Sequence, residues 1–202
     1  MKNWLTIAAV ALLAGAAGFT FYNLRNPASD GDSASTTSLA TSVMSDVQAA
    51  NAPKPVATVL PEFSLQNREG VKQSIRSWPG KSMIVNFWAT WCAPCRKEIP
   101  LLKDIAKNEA KAGFQVVGIA IDFRDDVIKF ADEYKIDYPL LMGEQDGLAA
   151  ADSFGVQSAA LPFTVFTDNQ GLIVTMVVGE LTPETARAAI ATQMLKIPAE
   201  KH

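Results

Sequence analysis

Apolar positions along the chain fall into three regimes. From Trp4 to Tyr22 no residue is charged, and Ala, Leu, Val, Ile, Gly and Phe dominate; about twenty such residues span a bilayer. Between Asn26 and about Pro55 large apolar side chains become scarce, and Ser, Thr, Ala, Asp and Pro take their place. Beyond that point short apolar blocks alternate with amphipathic stretches, as expected of a folded domain.

Within this third part, Phe63–Leu65 predicts a short strand. Ser82–Trp88 predicts a buried one, because Met83, Ile84, Val85 and Phe87 make a nearly continuous apolar run. A helix is expected from Cys92 to about Ala112, with Gly113 as its left-handed cap. Phe114–Ile121 reads as a second buried strand, and Asp125 begins a helix with Val127, Ile128, Phe130 and Ala131 on one side. Tyr138–Met142 predicts a short strand and Gly147–Phe154 a short helix. Phe163–Phe166 and Leu172–Val178 form a hairpin around Asp168-Asn169-Gln170-Gly171. Thr182, Pro183 and Glu184 start a last helix that runs to about Leu195. Strands alternating with helices indicate an α/β sheet, with an antiparallel pair supplied by the late hairpin.

Length and charge narrow the picture. A chain of 202 residues suits one domain with appendages. The net charge of −3 comes from 21 acidic and 18 basic residues without a concentrated basic run, so nothing suggests a nucleic-acid partner. Lys2 and the α-amino group favour a cytoplasmic N-terminus, although Arg25 weakens the asymmetry. The body is therefore expected on the periplasmic or extracytoplasmic face of a bacterial inner membrane, anchored by residues 4–22. Ala14-Gly15-Ala16 has the small alternate residues that a signal peptidase reads. Against cleavage, Phe19, Phe21 and Tyr22 lie at one end of the apolar run and Trp4 at the other, where interfacial aromatics belong. The chain divides into a signal-anchor or signal peptide (1–25), a flexible linker (26–55) reaching on the order of 30 Å, and a folded domain (56–202).

The candidate chemistry lies in Trp91-Cys92-Ala93-Pro94-Cys95, the only two cysteines, just after a buried strand and at the start of a helix. The spacing brings both sulfurs together across one turn, and the helix N-terminus stabilises a thiolate on the first. Cys92 is then the nucleophile, and Cys95 is placed to attack the resulting mixed disulfide. Zinc needs about four ligands, and the lone His202 stands at the terminus. Covalent haem attachment needs a histidine where Arg96 stands. A peroxidatic cysteine calls for a threonine where Ala89 stands, and a purely structural disulfide closing so short a loop adds little. No metal or cofactor is expected.

The run Val85-Asn86-Phe87-Trp88-Ala89-Thr90-Trp91-Cys92-Ala93-Pro94-Cys95 resembles the active-site strand and helix start of thioredoxin-like proteins, and more closely the TlpA/ResA-like branch. The resemblance covers roughly residues 56 to 196 and takes in Pro100, Leu161-Pro162-Phe163-Thr164 and Gly179. It implies a thioredoxin-like α/β fold, a central mixed sheet flanked by helices, with an inserted strand–helix unit between Asp137 and Phe154 and an N-terminal extension. Pro162 would be the family's cis-proline, leaving the Leu161 backbone free to pair with a substrate strand. Thioredoxin has a buried aspartate where this sequence carries Asn86, and an amide cannot take the Cys95 proton. Glu98, three residues beyond Cys95 and on the same helical face, matches an acid of ResA-like proteins and becomes the candidate acceptor. Trp91 and Trp88 flank the site, either shaping the substrate surface or packing.

Two directions of exchange are open, and the resemblance favours reduction, as does the lack of a histidine in the Ala93-Pro94 insert. A reductase outside the cytoplasm needs a transmembrane thiol electron donor. Its partners would be disulfide-containing envelope proteins, with apocytochrome c, and hence cytochrome c maturation, among the candidates. An oxidase, an isomerase and a non-catalytic thioredoxin-like binding module are the alternatives.

Overall fold

In the computed structural model, which describes residues 56–156 and 160–196, every residue of strand β3 (Ser82–Trp88) is buried. Such a strand needs cover on both faces, and its alternating side chains divide the core into two layers. Ile84 and Trp88 pack with Ile99 and Leu102 of helix α1 (Ala93–Asn108), Val127 and Phe130 of α2 (Arg124–Glu133), and Ala186 and Ala189 of α4 (Pro183–Lys196). Met83, Val85 and Phe87 face the opposite layer, with Ala150 and Ala151 of α3 (Gln145–Ser153) and with Phe154.

The remaining strands are β1 (Ser64–Gln66), β2 (Lys72–Ser74), β4 (Phe114–Ala120), β5 (Leu140–Met142), β6 (Phe163–Thr167) and β7 (Ile173–Val178). All seven form one sheet in the order β2-β1-β5-β4-β3-β6-β7. Strands β3, β4 and β5 are parallel, and α1 and α2 are the crossovers that parallel neighbours require. Strand β6 runs antiparallel to both β3 and β7, and β1 antiparallel to both β2 and β5. The expected mixed sheet flanked by helices is thus present, and so is the strand–helix unit between Asp137 and Phe154, as β5 and α3.

Three local features depart from the sequence reading. Strand β2 has no apolar alternation, being Lys-Gln-Ser, and is held through its ladder with β1, including Leu65 opposite Gln73. The first helix ends at Asn108, and a separate 3-10 turn, Ala110–Ala112, precedes Gly113, whose φ of 90° is the anticipated left-handed cap. Helix α3 begins two residues before Gly147. Residues 1–55, which carry the expected membrane segment and linker, lie outside the described residues. Among the described residues no helix is long and apolar enough to cross a membrane.

Strand direction positions the site. Because β6 is antiparallel to β3, the start of β6 lies beside the end of β3, with Phe163 opposite Phe87. The Cys92 loop beyond β3 and the Leu161-Pro162 segment ahead of β6 therefore leave the sheet at the same end of two adjacent inner strands.

Candidate active site

Cys92 is the N-cap of α1, with extended backbone (φ −81°, ψ 106°), and Pro94 occupies the first turn, where its missing N–H costs nothing. Cys92 and Cys95 are joined by a disulfide. The Cys95 amide donates to Cys92 Sγ at 3.3 Å, and the Arg96 amide to the Cys92 carbonyl at 3.2 Å. An amide of the first turn aimed at Cys92 Sγ is placed to donate to a thiolate there once the disulfide opens. The two sulfurs are unequal: Cys92 retains 5% of its surface and Cys95 none. Cys92 is thus the more accessible of the two.

Beside the disulfide, Trp91 is 70% exposed. The Leu161–Pro162 peptide bond is cis, with Pro162 buried and Leu161 half-buried. The Pro162 carbonyl accepts from the Gly179 amide at 2.8 Å, fixing this loop to the end of β7. Trp88 takes the packing role, fully buried with its ring 5.3 Å from that of Phe130. Arg96 and Lys97 lie on the solvent side of α1, reaching Tyr134 Oη at 3.2 Å and Glu180 Oε2 at 3.8 Å respectively.

Glu98 is almost wholly buried, one turn beyond Cys95. Its Oε1 accepts from Asn86 Nδ2 at 2.6 Å and its Oε2 from the Leu181 backbone amide at 2.6 Å. Burial pushes its carboxyl from 4.5 up to about 7; the Leu181 and Asn86 donors pull it down, and the Glu180 charge adds a push upward. An acid that titrates near neutrality suits proton exchange with a thiol. Tyr138 lies close enough to feel this charge: burial first, then Glu98 and Asp137, push its hydroxyl further above the ordinary range.

Two contributors were not visible as site residues in the sequence. Asp122, just past β4, accepts at Oδ2 from the Thr90 amide (3.0 Å) and hydroxyl (2.5 Å), and at Oδ1 from the Phe123 amide (2.9 Å). It ties the turn that carries Trp91 and Cys92 to the neighbouring strand end. Its signal was a lone carboxylate closing a buried parallel strand, where functional groups of such sheets gather. Leu181 acts through its backbone and left no signal at all. Among the described residues no group of three or more His, Cys, Asp or Glu is placed to hold a metal ion.

Comparisons with known proteins agree with this fold. A family model described as the AhpC/TSA family matches residues 56–176. The thiol-disulfide oxidoreductase ResA of Geobacillus thermodenitrificans is 28% identical over 64% of this chain and 72% of its own. The thioredoxin-like protein YneN of Bacillus subtilis is 34% identical over 60% and 71%. Among solved structures, a thiol:disulfide interchange protein of the thioredoxin family from Chlorobium tepidum superimposes with a TM-score of 0.57 at 30% identity, covering 70% of this chain and 97% of the other.

Proposed function

The chain belongs to the AhpC/TSA family and is a thiol-disulfide oxidoreductase of thioredoxin-like fold; from that premise we propose that it reduces protein disulfides outside the cytoplasm. One observation carries the mechanism: a fully buried Cys95 stands behind a reachable Cys92, with a buried acid of near-neutral pKa one turn further along the same helix.

In the reducing direction the Cys92 thiolate attacks a substrate disulfide. A mixed disulfide forms, and the first substrate sulfur leaves as a thiolate that takes a proton from solvent. The Cys95 thiol passes its proton to the Glu98 carboxylate, and the Cys95 thiolate attacks Cys92 Sγ. The Cys92–Cys95 bond forms, the second substrate thiolate leaves and is protonated, and the substrate has gained two electrons. A dithiol donor must return those electrons to the cysteines. Trp91 offers apolar contact at the mouth of the site. The Leu161 backbone beside Pro162 pairs with the extended substrate strand.

Residues 4–22 would hold the enzyme at the membrane, or be removed as a signal, and residues 26–55 would tether the domain. A transmembrane thiol donor and envelope disulfides, apocytochrome c among them, fit that location. The test is the reduction potential of the Cys92–Cys95 pair. A value near thioredoxin's, about −270 mV, supports a reductase, and one near about −120 mV marks an oxidant. Independently, Glu98→Gln should slow release of a trapped mixed disulfide, and release kinetics unchanged across pH would remove Glu98 from the mechanism.

A further inference from the structure

The surroundings of Glu98 are built for a carboxylate. Both oxygens face N–H donors, one from Asn86 and one from the Leu181 backbone. If Glu98 takes the Cys95 proton, as the mechanism above requires, its new O–H needs an acceptor in the same buried space. The Leu181 amide can only donate. The Asn86 side chain, in contrast, carries a donor on one edge and an acceptor on the other.

Its present contacts use only the donor edge. Asn86 Nδ2 donates to Glu98 Oε1 and also to Thr164 Oγ1, at 3.0 Å. The acceptor edge, Oδ1, is buried without a hydrogen-bond partner, although Asn86 keeps only 1% of its surface. Buried amide oxygens are seldom left so. Thr164 lies opposite Asn86 on the adjacent strand, and its hydroxyl is able to accept a hydrogen bond or to donate one.

We propose that Asn86 is a two-state positioning residue, whose side-chain amide turns over when Glu98 gains a proton. With Glu98 ionised, Nδ2 donates to Oε1 and to Thr164 Oγ1. With Glu98 protonated, Oδ1 takes that place and accepts from the Glu98 O–H and from the Thr164 hydroxyl. The proton itself never passes to Asn86. The amide provides a matched partner for each form of the acid, so that Glu98 can accept a proton and release it again within one catalytic cycle.

The other groups around Glu98 do not offer this exchange. Glu180 acts on it by charge from the loop before α4 and is itself contacted by Lys97 of α1. Tyr138, ahead of β5, couples to it by charge, and its buried hydroxyl makes no hydrogen bond to Glu98 or to any other group. Cys95 is held in the disulfide and does not titrate in this state. Asn86 and Thr164, from β3 and β6, are neutral.

The test is NMR of the isotope-labelled disulfide form at about pH 5 and about pH 9, two units on either side of the Glu98 midpoint. At the higher pH the Asn86 amide protons should show strong contacts to Thr164 and a coupling across the hydrogen bond to the Glu98 carboxyl carbon; at the lower pH both should be lost. Glu98→Gln presents an N–H where the acid has its O–H, so it should hold the amide in the low-pH orientation at both values. An Asn86 amide that keeps one orientation throughout, in both proteins, overturns the proposal. These spectra are recorded without turnover, so they separate this idea from the assignment of Glu98. If the amide turns over while mixed-disulfide release ignores pH, the assignment fails and the switch stands. If release follows Glu98 while the amide stays fixed, only the switch fails.

Discussion

Glu98 on the helix of the redox cysteines and Leu181 in the loop after the last strand, 83 residues apart in sequence, are joined by a 2.6 Å hydrogen bond from the Leu181 amide to Glu98 Oε2. The acid one turn behind Cys95 is therefore held from the far end of the domain as well as from β3. Its properties belong to the fold rather than to its helix.

The first prediction concerns pH and stability. The folded-state pKa of Glu98 is raised from 4.5 to about 7, so between those values the folded protein holds a proton that the unfolded chain has released. The stabilisation is complete below about 4.5 and is lost as the pH rises through 7, up to about 3 kcal/mol in all. Glu98→Gln cannot titrate there. Thermal melts of both proteins from acid to neutral pH should show the original chain losing stability relative to the variant.

Asp122→Ala removes two hydrogen bonds from Thr90, in the turn ahead of Cys92, and one from the Phe123 amide. Two of the lost donors are backbone amides at the end of the sheet. Destabilisation by about 2 to 3 kcal/mol is expected, read from the midpoint of urea unfolding. Asp122→Asn, which retains one acceptor oxygen, should recover part of it.

Gly118 has no room for a side chain. A Cβ there would approach Leu140 Cδ2 to 2.7 Å, and Trp88 Nε1 and Tyr138 Cε2 to 3.1 Å each. Gly118→Ala should cost about 1 to 3 kcal/mol through overpacking. A melting temperature equal to that of the original chain would show that Leu140 yields freely.

Trp91 contributes little to the core, being 70% exposed. Trp91→Ala should leave stability within about 0.5 kcal/mol while slowing exchange with a protein disulfide several-fold. Exchange with a small disulfide should change little. Equal slowing of both substrates would assign Trp91 to the reactivity of Cys92 instead of to substrate contact.

Much of the fold was legible because burial on two faces leaves a plain mark. Met83, Ile84, Val85 and Phe87 announced β3, and the pattern after Asp125 announced α2, because a strand covered on both sides or a helix covered on one must carry apolar side chains at those positions. Strand β2 escaped, since Lys72, Gln73 and Ser74 are held by backbone pairing, which no side chain records. Trp88 was undecided between site and core from its position beside the motif. Its packing on Phe130 placed it in the core.

By itself, the sequence determined the redox pair. Two cysteines at a helix start after a buried strand are a local feature, set by the spacing of one turn and the exposed amides of that turn. Tertiary structure alone decided the environment of the acid behind them. The burial of Glu98 and its bonds to Asn86 and Leu181 join groups from β3, α1 and the loop before α4. A pKa near neutrality arises from the desolvation those elements impose together, and desolvation is a property of packed neighbours that no single segment of the chain encodes.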